Sequence, residues 1–146
     1  MKRPPLVALV AISVALVAAA CSSGSASPSA ASAGLEGVTW QWTSSTEAQP
    51  PSQANVPDPE NYTLTFAADG TFSAKADCNQ VAGTYTADGT NLALVLGPST
   101  LAQCAEGSAG DIFVQYLDEI ATYEISGDEL KTTFIDDSGT MTFTKA

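Results

Sequence analysis

Residues 62–76, YTLTFAADGTFSAKA, hold two strands and the turn that joins them. Tyr62, Leu64 and Phe66 alternate with threonines, the period of two that puts one face of a strand in a core and the other in water. Asp69-Gly70 supplies the positive φ that a tight hairpin turn needs. Phe72, Ala74 and Ala76 then resume the alternation on the return strand. The same turn chemistry recurs at Asp88-Gly89, between a strand holding Tyr85 and one holding Leu92, Leu94 and Leu96. Phe66–Thr71 and Tyr85–Thr90 look alike, but their neighbours do not repeat, so they read as two hairpins with a common turn and not as an internal repeat.

The pattern extends in both directions. Upstream, Val38, Trp40 and Trp42 share one strand face, and a Pro/Gln/Ser/Asn-rich loop from Thr46 to Asn61 follows. Downstream, hairpins run over 122–126, 129–135 and 140–144, with Gly127-Asp128 and Asp137-Ser138-Gly139 at the turns. One segment has helical spacing: Ile112, Phe113, Tyr116, Leu117 and Ile120, with Asp111 as N-cap and Gly110 at the boundary. About ten residues is short for an isolated helix and ordinary for one packed on a sheet. The fold class is therefore mainly β: a curled antiparallel sheet or partly closed barrel of about eight strands with one short α-helix.

The N-terminal quarter has a different character. Met1-Lys2-Arg3 is a positive start, Leu6–Val17 is apolar but for Ser13, and Ala18-Ala19-Ala20 precede Cys21. This is the architecture of a secretory signal peptide over residues 1–20, and it is too short for a membrane span. Cys21 then offers two outcomes: cleavage with release, or a lipobox in which the cysteine carries a lipid. Ser22–Gly34 contains only Ser, Gly, Ala and Pro, which is linker composition and favours the tether. On that reading the membrane is a partner through lipid, such as palmitate, on Cys21, and the location is extracytoplasmic, at the bacterial cell membrane or outer membrane. The folded part is 35–146.

Composition narrows the chemistry. The chain has no histidine and 16 acidic residues against 5 basic ones. Ser-His-Asp and Cys-His relays are excluded, and so are histidine metal sites. Loss of residues 1–20 removes Lys2 and Arg3 and leaves a net charge of -13. Such a surface repels phosphate, so nucleic acid is not an expected partner. A monomer is expected, with an unidentified protein or small molecule as ligand and no cofactor.

Cys78 and Cys104 are the thiols left once Cys21 is lipidated. An extracytoplasmic pair is expected to form a disulfide, and free buried thiols or a reactive thiol are the alternatives. Two cysteines without histidine make no zinc site. The carboxylates fall mostly in turns or on the outer side of the helix. Asp137-Ser138-Gly139 matches the aspartic-protease motif in letters only, as ordinary turn chemistry. No catalytic and no metal residue is assigned. Trp40 and Trp42 have two readings, as core indoles or as the lining of a binding surface.

Taken in order, these motifs resemble the META domain, also called the HslJ-like domain, of bacterial envelope lipoproteins. The resemblance runs from Trp40 to Phe143. It includes Tyr62-x-Leu64-x-Phe66, Asp69-Gly70, Cys78-Asn79-x-x-x-Gly83-x-Tyr85 and Thr100-x-x-x-Cys104. Phe113 and Leu117, Tyr123-x-Ile125-x-Gly127-Asp128-x-Leu130 and Gly139-x-Met141-x-Phe143 complete it. Asp77 stands where the family usually has glycine. The resemblance implies a non-enzymatic envelope protein, linked in some members to heat shock, antibiotic tolerance or virulence, and carries over no catalytic residue. The alternative function is a secreted or anchored barrel that carries a ligand or acts as an inhibitor.

Overall fold

A computed structural model describes residues 34–146. The expected signal peptide, Cys21 and most of the expected linker lie outside the described residues. The strands are β1 (Thr39–Ala48), β2 (Pro51–Asn55), β3 (Tyr62–Phe66), β4 (Thr71–Ala76), β5 (Asn79–Asp88) and β6 (Asn91–Ser99), then β7 (Ile120–Ser126), β8 (Glu129–Phe134) and β9 (Gly139–Lys145); α1 (Gly110–Asp118) lies between β6 and β7. All strand pairs are antiparallel, in the order β2-β1-β3-β4-β5-β6-β7-β8-β9. β1 also pairs with β9, from Trp40↔Lys145 to Glu47↔Gly139, so eight strands close into a barrel and β2 is an extra strand outside it. Closure removes the long open edges that a flat sheet of this size would leave.

The 3.6-residue and two-residue periods give the core directly. Leu64, Phe66, Phe72, Ala74, Leu92, Leu130, Met141 and Phe143 all point inward and are buried. Each end of the barrel is stoppered. At one end the segment before β1 tucks in: Leu35 is fully buried, Glu36 bridges to Phe66, and Gly37 N–H donates to the Phe66 carbonyl at 2.9 Å. At the other end α1 lays Phe113, Tyr116 and Leu117 over the barrel mouth. Phe113 stacks on Trp42 with ring centroids 5.2 Å apart, and Tyr62 and Tyr116 meet the same indole edge-on at 5.8 and 6.0 Å. Each such pair adds about 0.5–1.5 kcal/mol beyond the area it buries.

Three sequence expectations need correction. The Thr46–Asn61 loop is mostly ordered hairpin: β1 runs on to Ala48, turns through a cis Gln49-Pro50 bond, and returns as β2, followed by a 3-10 turn at Pro59–Asn61. Every residue of β2 is exposed, so it has no apolar alternation to reveal it. Asp111 is not the N-cap of α1. Ala109 occupies that position, and the Ser108 hydroxyl accepts the Gly110 N–H at 3.1 Å, while Asp111 sits in the first turn. Ile112 is outside the core and Ile120 belongs to β7.

The glycine at the start of α1 has a packing reason. A Cβ on Gly110 would stand 2.9 Å from the Ala76 carbonyl oxygen, closer than a side chain tolerates, so a bare backbone is what lets the helix lie against the end of β4. The wall is weakest beside α1. β6 and β7 share one bridge, Asn91↔Thr122, reinforced by Tyr123 N–H donating to the Thr90 carbonyl at 2.8 Å. Beyond it, α1 takes the place where β7 would have continued along β6.

Candidate functional site

The two tryptophans fall on the core side of their two readings. Trp40 is 0% and Trp42 3% exposed, and both indole N–H groups are spent inside the protein, on the Leu35 carbonyl at 3.2 Å and the Ser44 carbonyl at 2.9 Å. Neither indole can line a binding surface. They hold the two stoppers in place, since Trp40 binds the Leu35 segment and Trp42 the aromatic face of α1.

Cys78 and Cys104 are brought together as a disulfide, with Cα atoms 5.5 Å apart and 26 residues between them in sequence. The bond lies at the α1 end of the barrel and ties the β4–β5 turn to the long segment between β6 and α1. Asp77, just before it, adopts φ 59°, the left-handed conformation in which Asp is tolerated and glycine is the usual choice.

Asn79, the residue after the bridge, does the rest of the pinning. Its Oδ1 accepts the Ala102 N–H at 2.8 Å and the Thr100 hydroxyl at 3.0 Å, and its Nδ2 donates to the Ala102 carbonyl at 3.0 Å. The Thr100 hydroxyl in turn accepts the Gln80 N–H at 2.9 Å, and the Thr100 N–H donates to the Gln80 carbonyl at 3.0 Å. One amide side chain thereby does the work of a strand partner for a segment that has no ladder of its own. The sequence showed Asn79 only as a letter in a motif. Its signal was the polar residue directly after a cysteine in a turn, with a threonine four residues before the second cysteine.

Between the two pinned residues Leu101 is left outside, 92% exposed. Three hollows border this segment. One of about 150 Å³ is lined by Val81, Ser99, Leu101, Asp111 and Val114. A shallow one of about 410 Å³ includes Val81, Ala82 and Pro98, and a third of about 210 Å³ follows Ala102–Ser108. A separate groove of about 390 Å³ lies at the β6–β7 seam, lined by Thr90, Thr122, Tyr123, Glu124, Lys131 and Thr133.

Two tyrosines carry the strongest electrostatic perturbation. Tyr116 donates to Glu47 at 2.7 Å, and burial together with that carboxylate pushes its phenol up to about 12. The hydroxyls of Tyr116 and Ser52 hold the Glu47 carboxyl below its ordinary value. Tyr85 is its counterpart at the Leu35 end: it bonds Glu36 at 3.1 Å, and burial with that carboxylate raises it to about 12 as well. Both phenols stay protonated at physiological pH and act as fixed donors. Among the described residues no group of three or more Cys, Asp or Glu is arranged to hold a metal, and no helix is long and apolar enough to cross a membrane.

A closed eight-stranded antiparallel barrel, stoppered by a helix and bearing one disulfide-pinned segment, defines a class of small β domain. Residues 33–146 match the META domain, and the chain belongs to that family. No curated protein matches it. Among solved structures it is similar to a DUF4847 family protein from Bacteroides vulgatus, at 16% identity over 77% of this chain and 95% of that one with a TM-score of 0.57. It is also similar to a protein from Burkholderia xenovorans determined by NMR, at 19% identity over 80% and 87% of the two chains with a TM-score of 0.59. These likenesses establish the barrel.

Proposed function

We propose that the mature chain is an extracytoplasmic lipoprotein of the HslJ-like branch of the META family, tethered through lipid on Cys21, whose barrel binds a partner at its surface and has no catalytic role. Its place is at the cell membrane or outer membrane, in envelope maintenance or stress response. The observation that carries the binding reading is the filled barrel. Trp40, Phe66, Phe113 and Phe143 are fully buried where a ligand carrier would keep its cavity. The larger hollows lie on the outer wall and at the α1 end, which supports a protein partner over an enclosed small molecule.

The tether reading rests on the signal architecture and on where the linker ends. Gly34, the last linker residue, leads straight into buried Leu35. About 13 residues of such composition span roughly 20 Å, enough to hold an acidic domain beyond the ~8 Å screening length of anionic lipid. Mass spectrometry of the mature protein tests the anchor. The expected result is an acylated Cys21, with Cys21→Ser moving the protein from the membrane to the soluble fraction; an unmodified amino terminus refutes it.

A further inference from the structure

We infer that the segment between Pro98 and Asp111 is the docking element, and that its partner is a protein presenting an apolar pocket rimmed by basic residues, into which Leu101 inserts. The inference rests on the surface-binding reading above and assigns it a face.

Exposure alone would not single out Leu101. What does is that its exposure is enforced. The residues on either side are fixed to Asn79, three of their bonds being 2.8–3.0 Å long, and the Cys78–Cys104 bridge closes the segment just beyond. Leu101 borders the hollow of Val81 and Val114 without filling it, and the bonds on either side hold it there. Ordering has already been done before binding, and a preorganised anchor loses less conformational entropy when it docks. Interfaces concentrate their energy in a few such buried anchors.

Charge selects the partner. Asp111 is the one charged residue among those lining the three adjoining hollows, and Glu106 is exposed in the same segment. None of the domain's three lysines lines these hollows: Lys75 stands opposite Gln80 but spends its ammonium on Asn61 and the Glu60 carbonyl, Lys145 pairs with Asp128 at the Leu35 end, and Lys131 lines the groove at the β6–β7 seam. A second copy would bring like charges together, so a basic partner fits and a homodimer does not. Geometry leaves the surface free. β4 runs from the Asp69-Gly70 turn near Leu35 to the Cys78 turn, so the linker joins the barrel at one end and Leu101 stands at the other.

The test places a photoreactive benzoylphenylalanine at position 101 of the full chain in its own cells, with position 126, at the Leu35 end, as control. The expected result is one discrete heterologous adduct at 101 and none at 126. The protein identified in it, once purified, should bind the mature chain, with Leu101→Ala weakening affinity at least tenfold and added salt weakening it further. Asn79→Ala should also weaken it while Leu101 is intact. No discrete adduct at 101, an adduct with a second copy, or unchanged affinity in Leu101→Ala overturns the inference. Repeating the experiment with Cys21→Ser separates the two readings. An adduct at 101 with an unlipidated wild-type Cys21 keeps the docking face and removes the anchor; an acylated Cys21 with no adduct does the reverse.

Discussion

Thr132→Val should stabilise the protein. Thr132 lies on the inner face of β8, opposite Tyr123 and Met141, is 0% exposed, and its hydroxyl has no hydrogen-bond partner. An unpaired hydroxyl in an apolar interior costs about 1–3 kcal/mol relative to water. Valine replaces that oxygen with a methyl group of similar size, keeps the branch at Cβ and keeps the strand preference. Taking the low end of the range, the gain is about 1 kcal/mol, or roughly 4 °C in Tm for a domain of about a hundred residues. Urea unfolding followed by tryptophan emission is the assay. The midpoint should rise with an unchanged slope, because the surface exposed on unfolding stays the same. Thr132→Ser serves as control: it keeps the orphaned hydroxyl, removes the methyl and should lose about 1 kcal/mol to the cavity. A fall in midpoint for Thr132→Val would refute the reasoning and mean that the hydroxyl is satisfied in solution.

Three other outcomes follow from the structure. Gly110→Ala gains up to about 1 kcal/mol in helix propensity but pushes a methyl into the Ala76 carbonyl 2.9 Å away; overpacking of about 1–3 kcal/mol should win, seen as a lower thermal midpoint. Replacing both Cys78 and Cys104 with serine releases a loop with a sequence separation of 26 and should cost about 3 kcal/mol in urea unfolding, with the barrel still folded. Tyr116 and Tyr85 have folded-state values of about 12, above the ordinary 10. The folded state therefore holds protons that the unfolded chain releases, so stability is whole below pH 10 and falls as pH rises from 10 to 12. Phenolate absorbance should show Tyr85, Tyr116 and Tyr123, which burial also raises, titrating late, and Tyr116→Phe should flatten the loss.

The strands of the barrel were legible wherever one face is buried and the other wet. Tyr62-x-Leu64-x-Phe66 and the two Asp-Gly turns located β3 to β6, because a period of two and a positive φ leave marks in single residues. What escaped the sequence depends on partners. A bulge between Trp42 and Ser44 shifts the register against β9 and turns Ser45 inward, so the alternation of β1 breaks where no apolar residue announces it. β2 has two wet faces and no pattern at all. The candidate site divides the same way. The cysteine pair could be read from count and compartment, whereas the role of Asn79 requires Thr100 and Ala102 to be adjacent in space, and the exposure of Leu101 contradicts its composition. Trp40 and Trp42 show the reverse limit: a sequence puts two indoles on one face without saying which side of the wall that face is.

The closing pair of the barrel also sets a time order on folding. Among the described residues β1 is the first strand and β9 the last, and the Thr43 hydroxyl meets the Thr142 carbonyl across 99 residues. Joining segments that far apart costs on the order of 4 kcal/mol in chain entropy before the new contacts return anything. The hairpins can form as each emerges, but the wall cannot shut until the final strand is present. A chain synthesised from its amino terminus would thus hold Trp40 and Trp42 unsheltered until β9 arrived. In this protein the C-terminal strand acts as the latch, and truncating it would leave every other strand without a closed barrel to belong to.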